Sequence, residues 1–168
     1  MSAIELPDAE GLLAELVRKL RPQISRDTGI IGIYTGGVWI AERLHRELDI
    51  EQPMGSIDIS FYRDDYAKAG LHPQVKPSNI PFDVSGRHVL VVDDVLYTGR
   101  TVRGAMNEIF DYGRPASISL VVLVDRGGRE LPICAQYVGA SVTVPESAML
   151  ALSRSDGGVL TLQLEKNA

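Results

Sequence analysis

Apolar residues occur along the chain in two patterns, as short uninterrupted runs and as longer segments with helical spacing. The uninterrupted runs cover 29–34, 89–92 and 117–124. Helical spacing, with apolar residues three and four positions apart, covers 8–21, 38–48 and 102–110. Short apolar runs between turns are typical of strands buried in a parallel sheet. Strands that alternate with helices therefore predict an α/β fold, in which helices flank a central, mostly parallel sheet.

Two further segments complete the predicted layout. Residues 57–62 alternate apolar and polar positions, which predicts a half-exposed strand. The irregular stretch after it, up to Pro81, is long for a loop, and such loops are usually functional lids or disordered segments. We favour a lid, with an inert flexible loop as the alternative. From Tyr137 onward, short apolar pieces predict antiparallel strands or a cap.

Composition limits the classes of protein that need to be considered. The 168 residues are 45% hydrophobic, which fits a single domain over 1–168 with a sizeable core. A net charge of −5 disfavours a protein wrapped in nucleic acid. Because no apolar stretch is long enough to span a membrane and no signal peptide is recognisable, we expect no membrane association. A single cysteine, Cys134, favours the cytoplasm, and we expect it to be buried.

The most informative chemistry lies in the central run from Val89 to Thr101. An apolar strand ends in Asp93 and Asp94, and a turn over 98–101, Thr-Gly-Arg-Thr, then opens a helix. Backbone N–H groups converge at a helix start, the helix dipole favours an anion, and glycine lets the backbone approach it closely. Carboxylates accept hydrogen bonds from sugar hydroxyls or face a metal. The run therefore predicts a ribose 5-phosphate site. An ordinary strand–turn–helix with a solvated acid pair is the alternative, and a phosphoacceptor receiver domain is a weaker one.

A second glycine turn follows the first predicted strand. Thr35, Gly36 and Gly37 lie between this strand and the next helix, which makes them a second candidate anion site. Two glycines at a strand end usually only ease packing. Because parallel strands present their carboxyl ends at one rim, the turns at 35–37, 93–101 and 125–129 should lie together.

These motifs resemble the type I phosphoribosyltransferases, which use phosphoribosyl diphosphate (PRPP). The longer form of the central run, from Val95 to Thr101, is similar to one branch of that family, the PyrR regulators of pyrimidine operons, which also act as uracil phosphoribosyltransferases. Three further runs, at 60–65, 112–117 and 129–133, resemble the same branch. The resemblance covers nearly the whole chain and implies a type I phosphoribosyltransferase fold. A small hood, formed by about 125–160 and the N-terminal segment, would cover the base.

The resemblance also implies roles for individual residues. Asp93 and Asp94 would be catalytic and bind the ribose hydroxyls, and 35–37 would bind diphosphate. PRPP or UMP would contact the whole central run: Asp93, Asp94, Val95, Leu96, Tyr97, Thr98, Gly99, Arg100 and Thr101. The lid would supply a cation from among Arg63, Lys68 and Lys76. Asp125 and Arg126 would lie in the base hood. Mg²⁺ would be the cofactor, held mainly by the substrate, so that no metal ligand is assigned directly.

The implied function is Mg²⁺-dependent conversion of uracil and PRPP to UMP and diphosphate. A homodimer or larger homo-oligomer is implied, as is binding of a pyrimidine operon mRNA leader in response to UMP. RNA contacts would come from Arg18, Lys19, Arg21 and Arg129. The alternatives are a non-catalytic sensor of UMP that binds RNA, and a phosphoribosyltransferase for another base.

Two departures from the family pattern bear on this function. Gly36 stands where the commoner form has arginine, which removes a guanidinium from the diphosphate loop. Gly128 stands where the RNA-binding members usually have histidine. The enzyme half of the inference is therefore firmer than the regulator half.

Overall fold

The computed structural model of the chain describes residues 4–59 and 78–166. The helices in these ranges are α1 (Ala9–Leu20), α2 (Gly36–Glu47) and α3 (Arg100–Phe110). The strands are β1 (Gly29–Ile33), β2 (Gly55–Ile57), β3 (His88–Leu96), β4 (Ser117–Asp125), β5 (Tyr137–Ser141), β6 (Ala148–Arg154) and β7 (Leu160–Lys166). The predicted lid residues Arg63, Lys68 and Lys76, and the run 60–65, lie outside the described residues.

The first five described strands form one parallel sheet in the order β2-β1-β3-β4-β5. The register aligns Gly32 of β1 with Val92 of β3, and Val92 with Val121 of β4. Helices cover this sheet, and strands buried on both faces are usually continuous apolar runs, as β3 and β4 are. The predicted α/β fold with a parallel sheet flanked by helices is confirmed.

Alternating side chains of β3 divide the core into two layers. Leu90 and Val92 pack with α1, α2 and the β6–β7 pair on one face of the sheet. Val89 and Val91 pack with α3 on the other face. This alternation follows from the strand geometry, in which successive side chains point to opposite faces. The helices α2 and α3, which begin at the two predicted anion sites, therefore cover opposite faces.

Helix α1 shows how local sequence sets an element of this fold. The side chain of Asp8 accepts a hydrogen bond from the Gly11 amide at 3.1 Å and caps the helix N-terminus. Leu13, Leu16 and Leu20 form a fully buried stripe at helical spacing. The amphipathic helix predicted over 8–21 is thus confirmed.

The tail contains both the predicted antiparallel pair and an unpredicted strand. Strands β6 and β7 pair antiparallel from Ala148 opposite Lys166 to Arg154 opposite Leu160. Strand β5, however, is a parallel edge strand of the main sheet. The antiparallel expectation was therefore wrong for 137–141, whose residues are only half-buried and give a weak apolar pattern.

Two other expectations are corrected by the fold. The strand expected over 57–62 is instead Gly55–Ile57, whereas the alternation continues past it, with Ile57 and Ile59 buried in the core with α3 and Asp58 only partly buried. Cys134 is exposed rather than buried. It lies in an extended stretch in which Ile133 and Ala135 pack inward, so that the side chain between them points outward.

Replacing Leu16 with alanine should destabilise the fold by about 2–5 kcal/mol, because the side chain is fully buried between α1 and the sheet. Urea unfolding followed by circular dichroism measures this loss. Leu164→Ala is the matched control, since Leu164 is 36% exposed on β7 and should cost less than about 1 kcal/mol. Equal losses for the two variants would contradict this assignment of the core.

Candidate functional site

The strand order places a candidate ligand-binding crevice between β1 and β3. In an open parallel sheet, ligands bind outside the carboxyl ends of the strands, at the point where the chain connections leave in opposite directions. Here β1 has β2 on one side and β3 on the other, and α2 and α3 cover opposite faces. The residues that follow β1 and β3 at this point are 34–36 and 97–99. Both predicted anion sites therefore lie at the same crevice.

The helices that begin at this crevice have N-termini that their own N-cap residues leave open. Their N-cap residues, Thr35 for α2 and Gly99 for α3, make no capping side-chain hydrogen bond within the described part of the chain. Neither helix has an acidic residue in its first turn, whereas α1 has both the Asp8 cap and Glu10. The first amides of a helix have no acceptor within the helix. Two helix dipoles are thus directed at one crevice, and neither helix carries an acid in its own first turn, which suits an anionic ligand with two phosphate groups.

Gly99 gives the turn before α3 its shape. Its φ of 97° lies in the left-handed region, and a Cβ there would lie 3.0 Å from Cγ1 of Ile133. The Oγ1 of Thr98 accepts a hydrogen bond from the Arg100 amide at 3.2 Å. Both the dihedral angle and the close neighbour require glycine, because other residues rarely adopt this conformation.

The acid pair lies at the end of β3. Asp93 is only 6% exposed, and its Oδ1 accepts a hydrogen bond from the Asp94 amide at 2.8 Å. The Oδ1 of Asp94 accepts from the Val95 amide at 2.8 Å. The second oxygen of the half-buried Asp94 carboxylate, Oδ2, lies next to Gly36 at the start of α2.

The glycine turn and the acid pair are in direct contact. A Cβ on Gly36 would lie 2.3 Å from Oδ2 of Asp94, and a Cβ on Gly37 would lie 2.4 Å from the carbonyl oxygen of Val92. The peptide bond between Tyr34 and Thr35 is cis. The contact with Asp94 bears on the first departure from the family pattern: in this structure, the carboxylate of Asp94 lies where a Cβ at position 36 would be.

The segment after β4 encloses the turn at 96–101. The amide of Arg126 donates to the carbonyl of Leu96 at 3.0 Å, and the amides of Glu130 and Leu131 donate to the carbonyl of Thr98 at 2.9 and 3.1 Å. The guanidinium of Arg100 also pairs with Glu130 at 3.0 Å. Sequence reasoning missed these contacts, because backbone donors leave no signal in a sequence.

Arg126, predicted for the base hood, is buried within the protein. It is 8% exposed, its guanidinium lies 3.9 Å from the ring centre of Tyr97, and it donates to the carbonyls of Val144, Pro145 and Ala148. It therefore links the turn after β3 to the segment that leads into β6. A cation over an aromatic face in a desolvated position is a favourable contact.

Asp125 and Arg129 form an ion pair at the end of β4, with Nη2 of Arg129 2.7 Å from Oδ2 of Asp125. Burial raises the pKa of the Asp125 carboxyl. The hydrogen bonds from Arg129 and from the Gly127 amide, together with the charge of Arg129, outweigh this effect and hold the pKa below its ordinary value. The four-residue spacing of opposite charges was the available sequence signal for this pair.

The basic residues of α1 have partners inside the protein. Arg18 pairs with Glu15, Lys19 donates to the carbonyl of Val138 at 3.0 Å, and Arg21 donates to the carbonyl of Glu47 at 3.2 Å. All three remain exposed to solvent. Their charges therefore remain on the protein surface, and none of these three contacts joins them to a residue of the crevice.

The second departure from the family pattern also has a structural basis. Gly128 has a φ of 79°, and a Cβ there would lie 2.4 Å from Cε1 of Tyr97. A histidine at this position would require the loop or the Tyr97 ring to move. The loop conformation of this chain is thus adapted to glycine.

Other features of the described residues add no second site. A polar pocket of about 400 Å³ lies between α1, α2 and the β6–β7 turn, but its Arg43 and Arg154 pair with Glu10 and Glu42. The described ranges hold no group of three or more His, Cys, Asp or Glu residues placed to bind a metal. Among the helices described, none has the length and apolar character needed to cross a membrane.

Comparison with known proteins agrees with this geometry. The family model for the phosphoribosyl transferase domain matches residues 6–146. The chain is 51% identical over 147 residues to the bifunctional protein PyrR of Nitrosococcus oceani, covering 86% of this chain and 83% of that protein. It is 46% identical to the PyrR of Pseudomonas savastanoi pv. phaseolicola, covering 95% and 96% of the two chains. The chain belongs to the PyrR family of phosphoribosyltransferases.

Solved structures with the same fold include phosphoribosyltransferases for other bases. A hypoxanthine phosphoribosyltransferase from Staphylococcus aureus superposes with a TM-score of 0.64 at 22% identity, over 87% of this chain and 80% of that one. A purine phosphoribosyltransferase from Pyrococcus horikoshii superposes with a TM-score of 0.61 at 28% identity, over 80% and 82%. The PyrR resemblance read from the sequence is confirmed, and the solved structures support its fold.

The lowered pKa of Asp125 leads to a pH-dependent prediction. A carboxyl whose pKa is lower in the folded than in the unfolded state stabilises the fold above its unfolded pKa, and this contribution is lost as the pH falls through the folded value. At pH 7, Asp125→Asn should therefore be less stable than wild type by about 1–2 kcal/mol, since the pair is partly buried and charge-assisted.

Urea unfolding at a series of pH values from 7 downward measures this difference, which should shrink as the solution becomes acidic. Asp156→Asn, at the exposed β6–β7 turn, is the control and should match wild type throughout. A difference that stays constant with pH would show that Asp125 acts only through packing.

Proposed function

We propose that this PyrR-family protein is a Mg²⁺-dependent uracil phosphoribosyltransferase, which converts uracil and PRPP to UMP and diphosphate. The observation that carries the proposal is the contact of Asp94 with Gly36 at a crevice where two open helix N-termini meet. PRPP has a 5-phosphate, a ribose and a diphosphate, and this crevice offers a cradle, an acid pair and a second cradle in that order.

Each part of PRPP is assigned to one part of the crevice. The turn at 98–101 would bind the 5-phosphate through the first amides of α3. Asp93 and Asp94 would accept hydrogen bonds from the ribose hydroxyls. Thr35, Gly36 and Gly37 would receive the diphosphate at the N-terminus of α2. Loss of the highly charged leaving group from the anomeric carbon produces positive charge on the ribose ring, which the nearby carboxylates favour.

The residues present fit a divalent cation that is held largely by the substrate. Carboxylate oxygens of Asp94 lie at the diphosphate cradle, but the described residues gather no cluster of three acids around them. When bound, Mg²⁺ would neutralise negative charge on the diphosphate. The chain itself would position the two substrates and hold the ribose, with no covalent nucleophile.

The base would bind beside the segment that follows β4. Because the guanidinium of Arg126 is committed to Tyr97 and to three carbonyls, we assign recognition of uracil to backbone groups of 125–133 rather than to this side chain. Asp125 remains a residue of the proposed hood, where its carboxylate pairs with Arg129. The lid with Arg63, Lys68 and Lys76 remains part of the proposal on sequence grounds.

A second role in regulation is favoured by the exposed basic residues of α1. Arg18, Lys19 and Arg21 keep solvent-exposed charges despite their internal partners, and basic side chains provide salt-dependent contacts to RNA phosphates. We propose that UMP in the crevice promotes binding of a pyrimidine operon mRNA leader, in the cytoplasm, by a homodimer or larger homo-oligomer. An RNA gel shift at low salt, with and without UMP, tests this role.

The first experiment is conversion of radiolabelled uracil to UMP with PRPP and Mg²⁺, with orotate, hypoxanthine and metal-free controls. Turnover that requires both uracil and Mg²⁺ is the expected result. Tight UMP binding without turnover would indicate a sensor that has lost the chemistry. Turnover of hypoxanthine or orotate in place of uracil would assign the crevice to another base.

Asp94→Asn should lower kcat/KM by well over tenfold, because an amide cannot stabilise positive charge on the ribose as a carboxylate does. Steady-state kinetics with PRPP varied at saturating uracil measures the effect. Asp156→Asn serves as the exposed control. Kinetics close to wild type would remove Asp94 from the site.

Gly36→Ala should lower kcat/KM for PRPP by about tenfold or more, because its Cβ would displace the carboxylate of Asp94. Gly157→Ala is the matched control, since its Cβ would meet only a hydroxyl 3.9 Å away. Gly157→Ala should leave kcat/KM at the wild-type value, and thermal unfolding of both variants shows whether a loss in Gly36→Ala comes from the site or from the fold.

The double variant Gly36→Ala with Asp94→Asn tests whether the two positions act together. Residues in contact show non-additive effects, so the double variant should be little worse than Asp94→Asn alone. Additive losses in kcat/KM would mean that Gly36 acts independently of this carboxylate.

A further inference from the structure

We infer that Arg129 is a positioning residue for the phosphate-binding turn at 96–101, a role that rests on the proposed function. Its guanidinium joins three parts of the chain. Nη1 donates to the carbonyl of Tyr97 at 2.7 Å, Nε donates to the carbonyl of Ile133 at 2.9 Å, and Nη2 donates to Oδ2 of Asp125 at 2.7 Å. The planar guanidinium has its donors in a fixed arrangement, so these three acceptors define its position.

Arg129 completes a set of donors to three successive carbonyls of the turn. The carbonyl of Leu96 accepts from the amide of Arg126, that of Tyr97 from Arg129, and that of Thr98 from the amides at 130 and 131. Among these contacts, the one at Tyr97 alone comes from a side chain. The orientation of the peptide between Tyr97 and Thr98 therefore depends on the Arg129 side chain, which a substitution can remove.

The geometry of the peptide bond makes this contact relevant to phosphate binding. In a planar trans peptide, the C=O and the following N–H point in opposite directions. Holding the carbonyl of Tyr97 toward Arg129 therefore directs the Thr98 amide to the opposite side of the chain. In the same way, the bond to the Leu96 carbonyl directs the amide of residue 97, and the bonds to the Thr98 carbonyl direct the Gly99 amide. The segment at 126–131 thus fixes the direction of the amides at 97–99, and those of Thr98 and Gly99 belong to the turn that would receive the 5-phosphate.

The surroundings of Arg129 favour this role over direct contact with a nucleic acid. The side chain is 25% exposed, and the three hydrogen bonds use nitrogens at every position of its guanidinium. Asp125 neutralises its charge at 2.7 Å. Arg129 was grouped with Arg18, Lys19 and Arg21 as a candidate RNA contact, but its geometry separates it from those exposed side chains.

The test compares Arg129→Ala with Arg87→Ala, a matched control at the opposite end of the strands, directly before β3. Arg87 also makes three internal hydrogen bonds, to the carbonyl of Asp83 at 2.7 Å and to the carbonyl and carboxylate of Asp27, both at 2.6 Å. Both variants should lower Tm. Arg129→Ala should also raise the KM for PRPP and the Kd for UMP about tenfold or more. Arg87→Ala should leave both unchanged.

Two further measurements separate positioning from general structural loss. Added guanidinium at millimolar concentration should partly restore PRPP affinity to Arg129→Ala and have no such effect on Arg87→Ala. Arg129→Lys should recover little, because an ammonium cannot span the three acceptors.

The outcomes distinguish this inference from the proposed function. If wild type binds neither PRPP nor UMP by calorimetry, the proposed function fails. If wild type binds both and Arg129→Ala binds them equally well, the positioning role is overturned. Loss of RNA binding with unchanged PRPP affinity in Arg129→Ala would likewise overturn it, and would return Arg129 to the RNA-contacting group.

Discussion

The close approach of α2 to β3 is the constraint on which the rest of the site depends. Gly36 and Gly37 have no side chains, so the first turn of α2 lies directly against the carbonyl of Val92 and the carboxylate of Asp94. This contact brings an acid pair on one strand to a helix that begins after another strand. A side chain at 37 would collide with the backbone of β3, and one at 36 would displace the carboxylate of Asp94. The arginine missing at position 36 is thus replaced by a direct approach of this carboxylate to α2.

The turn before α3 is held in a different way. Where α2 is placed by the absence of side chains, the turn at 96–101 is placed by hydrogen bonds from the segment after β4. Both helices keep open N-termini, while α1, which lies outside the crevice, is capped by Asp8. Of the three described helices, the two without an N-cap side-chain bond are thus the two that begin at the proposed anion site.

The sequence predicted the features that depend on local pattern. The apolar runs of β1, β3 and β4, the spacing of α1 and the turn at 98–101 each have a signal within a few residues. The parallel pairing of β5 was missed because half-buried edge residues lack a clear pattern. The roles of Arg126 and Arg129 were missed because their acceptors are backbone carbonyls distant in sequence. The exclusion of a side chain at Gly128 depends on the Tyr97 ring, which only the folded chain brings near.

Lys19 has a consequence that concerns assembly rather than chemistry. Its ammonium donates to the carbonyl of Val138 on β5, an edge strand of the sheet in the described part of the chain. Exposed edge strands are templates for pairing with another chain, and a lysine at the edge opposes such pairing. Side-by-side extension of the sheet from one molecule to the next is thereby disfavoured at β5. Copies of this protein that associate should meet through side-chain surfaces and not through a continuous intermolecular sheet at this edge.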